Sequence, residues 1–308
     1  MRVIRQALLL VGFLFLTACA QRPAITASAL SMPEKQLMVP FIPQDDAYCG
    51  PSALAMVLAQ QNKTVSVAAL ADEMLLPARG GSLQTELKVS VRRQGYLAYE
   101  IAPELPALLH EIDAGRPVIV LLNLAFNWYP KWHYAVVTGY DLSKQEIILH
   151  SGFEANQHWS FTQFENLWQR GGRWGLLVLS PHQLPPDSAQ EQRYLQAVLD
   201  LGTTSGPDVA QPAYQAAIQR WPDNLTAMIG LGLIAYQQHD LVLARQWFQQ
   251  AATQHPDSAV AANNLAQVLL ESGDLAGAFV WAQKAVLADG GAPARDTLSQ
   301  VLHALHAE

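Results

Sequence analysis

The stretch Gln44-Asp45-Asp46-Ala47-Tyr48-Cys49-Gly50-Pro51-Ser52-Ala53-Leu54-Ala55-Met56-Val57-Leu58-Ala59 sets a thiol immediately before an apolar helical segment. Pro51 suits a first helical turn, where its missing N–H costs nothing, and Leu54, Val57 and Leu58 recur at helical spacing. A helix start carries partial positive charge, which favours the thiolate of Cys49 over the thiol. Gly50-Pro51 lets the chain turn sharply, so that the sulfur faces a cleft and not a core. Gln44, five residues upstream, carries an amide N–H able to meet a developing oxyanion. Buried, inert cysteine is the commoner case at such positions, so the chemistry needs a second component.

That component lies further along, in Trp132-His133-Tyr134-Ala135-Val136-Val137-Thr138-Gly139-Tyr140-Asp141. His133 opens a strand-like run, where a sheet end would present it to the helix. A neutral imidazole there can take the thiol proton and keep the sulfur ready to attack. In order and spacing, the two segments resemble the papain-like peptidases that process double-glycine leader peptides of bacteriocins. They are most similar to free-standing lipoprotein relatives with tetratricopeptide tails. The resemblance covers roughly residues 37–180. It implies an α+β fold with Cys49 as nucleophile, His133 as general base and Gln44 as oxyanion donor. It further implies an Asp or Asn at the end of the next strand, to orient the histidine. Here that strand ends Leu149-His150-Ser151-Gly152, so the orienting position falls to His150, or to Ser151 beside it. Neither is a carboxylate. Asp141 sits at the far end of the histidine's own strand, about 26 Å away if that strand is straight, and reads as a turn residue.

Around these motifs the periodicity gives helices first and an antiparallel sheet after, an α+β order. Helices are expected from Cys49, over Val67–Met74, over 83–94 and over Leu105–Ala114. Strands are expected at Leu97–Ile101, Val118–Leu122, Tyr134–Tyr140, Glu146–Leu149 and Trp174–Leu179, with Leu37–Phe41 a short strand or extended entry. The peptidase-like domain is bounded at 37–182. Pro181, Pro185 and Pro186 mark its end.

Beyond the prolines no strand pattern appears. Leu231-Gly232 matches Leu265-Ala266, His239-Asp240 matches Gly273-Asp274, and Ala244 and Ala251 match Ala278 and Ala285, all at an offset of 34 residues. That period resembles the tetratricopeptide repeat, an all-α unit whose concave face binds peptides or proteins. Residues 190–307 read as such repeats, with a degenerate first unit near Glu191 and a closing helix over Ala294–Ala307. A protein partner in that groove is expected, with packing or dimerisation as alternatives.

The amino terminus reads as an address. Arg2 and Arg5 precede the apolar run Ala7–Leu16, which is short for a bilayer span and has signal-peptide order. Leu16-Thr17-Ala18-Cys19 resembles a bacterial lipobox, which implies removal of residues 1–18 and acylation of Cys19. Ala20 in place of Asp directs the expectation to the outer membrane, facing the periplasm. Residues 19–36 are small and polar and read as a tether.

With a net charge of −7 and no Lys/Arg cluster, the chain lacks a nucleic-acid footprint. His158, His182, His239 and His255 lack metal-ligand spacing, Gly80-Gly81 and Gly171-Gly172 read as turns, and no cofactor is expected. Asp45-Asp46 read as loop capping or as selectors of a positive substrate. The aromatic loop Asn127–Trp132 lines the cleft or covers the core. The resulting expectation is a membrane-anchored cysteine peptidase acting on a peptide or protein through a thioester. The alternatives are a peptidase fold of weakened catalysis serving as a peptide-binding or assembly scaffold, and acyl transfer on the same Cys-His chemistry.

Overall fold

The computed structural model describes residues 30–44, 47–76 and 81–307. The expected signal peptide, Cys19, most of the tether, Asp45, Asp46 and Gly80 lie outside them.

Strand β1 (Glu34–Gln36) enters the fold, followed by helices α1 (Cys49–Gln60), α2 (Val67–Met74) and α3 (Gln84–Arg93). Strand β2 (Leu97–Glu100) and helix α4 (Leu105–Asp113) lead to β3 (Val118–Asn123), β4 (Trp132–Asp141), β5 (Glu146–Ser151) and β6 (Glu154–Ser160). Helix α5 (Phe161–Arg170) and β7 (Gly175–Leu179) complete this half. Every strand pairing is antiparallel, in the order β2-β7-β3-β4-β5-β6, with β1 on β4.

The sheet is buried on both faces, which is why β3 and β7 read as unbroken apolar runs. Ile119, Tyr134, Val136, Leu176 and Val178 pack against α1, α2 and α3. Val118, Val120, Ala135, Val137 and Leu177 pack on the opposite side with Leu108 and Ile112 of α4 and with Phe164 and Trp168 of α5. Helix α1 is buried from Cys49 to Leu58, so it is a core helix and not an amphipathic surface one.

One sequence expectation needs correction. Residues 34–36, read as the end of a flexible tether, form β1, and of the two readings of Leu37–Phe41 it is the entry segment outside any strand that holds. The composition of Glu34-Lys35-Gln36 hid this pairing because it runs through the backbone, opposite Gly139–Asp141. Gly139 makes the approach possible: a Cβ there would stand 2.5 Å from the Lys35 carbonyl oxygen. The segment ahead is fixed too, since Ser31 donates from its backbone N–H and its hydroxyl to Asp113, each at 2.8 Å. Strand β6 and helix α5 are not expected from the sequence pattern. Strand β6 is largely exposed and shows no apolar alternation, and α5 is a ten-residue helix buried mainly through Phe164 and Trp168.

Seven helices follow: α6 (Glu191–Ser205), α7 (Pro207–Arg220), α8 (Leu225–Gln237), α9 (Leu241–Gln254), α10 (Ala259–Glu271), α11 (Leu275–Leu287) and α12 (Gly291–Ala307). Their repeat is local as well as global. Asn224 and Ser258, 34 apart, cap α8 and α10 through their side chains, and Asp240 and Asp274 cap α9 and α11 in the same way. The turn residue before each Asp has positive φ, His239 at 60° and Gly273 at 79°. Gly232 lets α8 and α9 close, since a Cβ there would meet the Phe248 ring at 2.4 Å.

The helical half is not a separate body on a string. Tyr194, Leu195, Val198 and Leu201 of α6 join the same core cluster as Leu97, Tyr99 and Leu179 of the sheet. Arg92 of α3 pairs with Asp200 of α6 at 2.6 Å, and Tyr99 accepts the Gln190 backbone N–H at 3.0 Å. The connecting segment is held as Ser188 donates to the buried Glu111, which also binds Arg116 at 2.6 Å.

Candidate active site

Cys49 begins α1, whose first turn lies against β4. A Cβ at Gly50 would stand at van der Waals distance from Tyr134 Cδ2, 3.4 Å, and would overlap Ser82 Oγ at 2.3 Å, so the helix start lies against the strand and the bare backbone makes room for Ser82. Burial raises the Tyr134 phenol above its usual range, and negative charge on Cys49 and on Glu86 raises it further. The helix start and the residue after His133 are therefore neighbours in both space and electrostatics. Cys49 is 5% exposed and His133 4%.

His133 is the second residue of β4, paired with Leu122 of β3. Its Nε2 lies 2.9 Å from Ser151 Oγ. In the tautomer carrying its proton on Nε2, the imidazole donates to the hydroxyl and turns the lone pair of Nδ1 the other way.

His150, named with Ser151 for the orienting position, is not brought to His133. Its Nε2 donates to the Val39 carbonyl at 2.9 Å, and its Nδ1 accepts the Asn156 N–H at 3.1 Å. Both ring nitrogens are thus committed to backbone, and Phe41 meets the ring edge-on with centroids 5.3 Å apart. Its neighbour Ser151 meets the catalytic candidate because successive strand residues point to opposite faces. The side chain of His150 instead pins the Val39–Phe41 segment that leads to Gln44.

Gln44 is held to the same corner. Its backbone N–H donates to the Gly152 carbonyl at 3.0 Å. Its side chain is 2% exposed, and neither Oε1 nor Nε2 has a hydrogen-bond partner among the described residues. Leaving a buried amide unsatisfied costs about 1–3 kcal/mol, so such a group is conspicuous in a well-packed fold. One tripeptide, Ser151-Gly152 with His150 before it, therefore organises both His133 and Gln44.

Asp141 lies at the other end of β4 and takes no part. It accepts from Ser143 Oγ at 2.6 Å, Lys144 Nζ at 2.6 Å and the Lys144 N–H at 3.1 Å. These bonds hold its carboxyl well below the usual range and close the β4–β5 turn. The aromatic loop is ordered by Asn123, whose Oδ1 accepts the N–H groups of Ala125 and Lys131 at 3.1 and 3.0 Å. Its rings do not cover the core: Trp128 is 82% exposed and stacks on Phe126, with centroids 5.7 Å apart. Trp132, with Ser82, Leu121, Tyr134 and Arg170, lines a cavity of about 500 Å³, of which Ser82 and Tyr134 lie against Gly50 of α1. Composition alone could not have found Ser82, which belongs to the cavity only because α1 brings Gly50 against it.

The family models divide the chain as the fold does. Residues 36–175 match the Peptidase_C39 like family, and residues 195–259 and 249–293 match the tetratricopeptide repeat. Among solved structures, a C39-like peptidase from Bacillus anthracis is similar at 19% identity, with a TM-score of 0.39, covering 47% of this chain and 97% of that one. The peptidase domain of Streptococcus ComA, a bi-functional ABC transporter involved in quorum sensing, is similar at 21% identity and TM-score 0.38, covering 47% and 98%. The Sgt2 TPR domain from Aspergillus fumigatus is similar at 14% identity and TM-score 0.36, covering 41% and 83%. Comparison with curated proteins returns no match.

Proposed function

We propose that this chain, a C39-like peptidase domain continued by tetratricopeptide repeats, is a cysteine peptidase. The observation that carries the proposal is the corner built on Ser151-Gly152, which bonds the His133 ring and the backbone of Gln44, whose side-chain amide is unpartnered. In this reading His133 Nδ1 takes the Cys49 proton and the thiolate attacks a peptide carbonyl. Gln44 Nε2 donates to the oxyanion, which supplies the hydrogen bond the buried amide lacks at rest. Collapse expels the amine, protonated by His133, and leaves a thioester. Water, deprotonated by the same imidazole, then releases the acid and restores the thiol.

Residue Cys19 is proposed to carry the lipid that anchors the chain to the envelope, facing the periplasm. Among the described residues no helix is long and apolar enough to cross a membrane. The repeats are proposed to bind a peptide or protein.

A second reading, a scaffold of weakened catalysis, draws on Ser151 itself. A hydroxyl orients the imidazole yet gives no negative charge to an imidazolium. The test is alkylation of Cys49 by iodoacetamide, followed by mass spectrometry across pH. A peptidase predicts modification well ahead of free cysteine at neutral pH, slowed by His133→Ala, and an acyl adduct with peptide substrates. Alkylation at the rate of free cysteine, unchanged by His133→Ala, refutes the peptidase. The scaffold reading instead expects little cleavage by the native chain and a gain in Ser151→Asp.

A further inference from the structure

The cavity beside the helix start is not closed at its far side. It is bounded there by Gly171 and Gly172, and Gly172 also lines a second cavity of about 450 Å³. That second cavity reaches across the domain junction, from Lys88, Glu100 and Trp174 to Arg193, Gln196 and Asp200 of α6. The turn between the two carries no side chain at Gly171 or Gly172. A Cβ on Gly171 would overlap the Leu121 carbonyl at 2.1 Å. Gly172, at φ 74°, has open space where a side chain would stand. Beneath the turn, Trp174 packs edge-on against Tyr134, centroids 5.9 Å apart, so a single aromatic floor underlies the passage.

Charges along the second cavity are mostly paired. Lys88 meets Glu100 at 2.6 Å, Arg173 meets Glu165 at 3.0 Å, and Asp200 meets Arg92 at 2.6 Å. Arg193 is the exception: exposed on α6, it has neither an ion pair nor a hydrogen bond among the described residues. The repeat half thus places a guanidinium without an ion pair on the second cavity, which meets at Gly172 the cavity whose Ser82 and Tyr134 lie against Gly50 of α1.

We propose that the two cavities form one substrate groove, in which an extended peptide with its scissile bond at Cys49 crosses the Gly171-Gly172 saddle. An acidic side chain of that peptide pairs with Arg193. This rests on the peptidase reading and adds to it a specificity residue supplied by the first repeat helix. Guanidinium and carboxylate match in geometry, and a peptide already held at the site gains the pair with little further ordering.

The test uses peptides sharing one Gly-Gly core, in which a single Asp is moved outward one residue at a time through a neutral background. Cleavage by the native chain is measured as kcat/KM. Binding to the full-length Cys49→Ala variant is measured by fluorescence anisotropy. The groove predicts one Asp position favoured roughly three- to tenfold, lost in Arg193→Gln and inverted to prefer Lys in Arg193→Glu. Cleavage that ignores Arg193 at every position overturns the groove and leaves the peptidase standing. Binding that follows Arg193 without any cleavage by the native chain overturns the peptidase and keeps the groove. Absence of Arg193 dependence in both measurements overturns the groove outright.

Discussion

Under the proposed peptidase chemistry, the side chain of Gln44 serves two opposed demands. Its amide is buried and unpartnered, a state that destabilises the resting fold and suits a group awaiting an oxyanion. Replacing it by Met, of similar volume, removes the orphan polar atoms and the donor together. Gln44→Met is therefore expected to raise the melting temperature while lowering kcat for peptide cleavage about 10²- to 10³-fold. Differential scanning calorimetry and steady-state kinetics on the same preparation check both signs. A variant that loses stability would show that the amide has a structural partner. The sequence held this residue in view because its spacing from Cys49 is short and local. It left the histidine's partner open between His150 and Ser151, since which of two successive residues faces the ring depends on strand pairing. Strand β5 pairs with β6 through an irregular register between Leu149 and Ser151, and no residue type signals that.

At the scale of elements, what was legible had a period and what was missed did not. The core strands β3 and β7 and the core helix α1 announced themselves by apolar runs. Strands β1 and β6 carry polar side chains and pair through backbone, which leaves no mark in residue types. The close approaches inside elements do leave a mark, as glycines. In Gly232→Ala the new methyl meets the Phe248 ring, whereas the equivalent Ala266 already carries a Cβ in a fully buried site. We expect Gly232→Ala to cost about 1–3 kcal/mol by urea unfolding, against the usual small benefit of Gly→Ala in a helix. The β4–β5 turn makes a pH-dependent prediction. The Asp141 carboxyl is depressed by its bonds to Lys144 and Ser143, so its contribution to stability is complete above the ordinary carboxylate range. It is lost as pH falls below about 4 toward the folded value. Asp141→Asn should thus melt lower than the parent at neutral pH, with the gap closing as the solution is acidified. A gap that stays constant to pH 2 would refute that account.

For the molecule as a whole, the proline-marked boundary divides the sequence but not the core. Leu195, Val198 and Leu201 of α6 are buried with the sheet residues Leu97 and Tyr99, and the junction adds Arg92–Asp200 and Ser188–Glu111. Each fully buried aliphatic side chain contributes roughly 1.5–3 kcal/mol, so separating the halves exposes enough apolar surface to matter. A single calorimetric transition is expected for the peptidase half and α6 together. Residues 30–182 expressed alone should melt lower, bind a hydrophobic dye, and stay soluble less readily than the full chain. Two well-separated transitions in the intact chain would contradict a shared core.

The placement of β1 bears on where the proposed catalytic corner would work. Strand β1 meets β4 at Gly139–Asp141, and Ser31 ahead of it is clasped to Asp113, so the described chain enters at the end of β4 remote from His133. Those ends are about 26 Å apart along the strand. Ten residues lie between Cys19 and Leu30, so the two can be at most about 40 Å apart at full extension. With the proposed acyl group at Cys19, the molecule would hang by the far end of its longest strand, its mouth turned outward from the bilayer. Substrates would then be met in the aqueous space within a distance capped by the length between Cys19 and Leu30, and shortening that segment would bring the body closer to the surface.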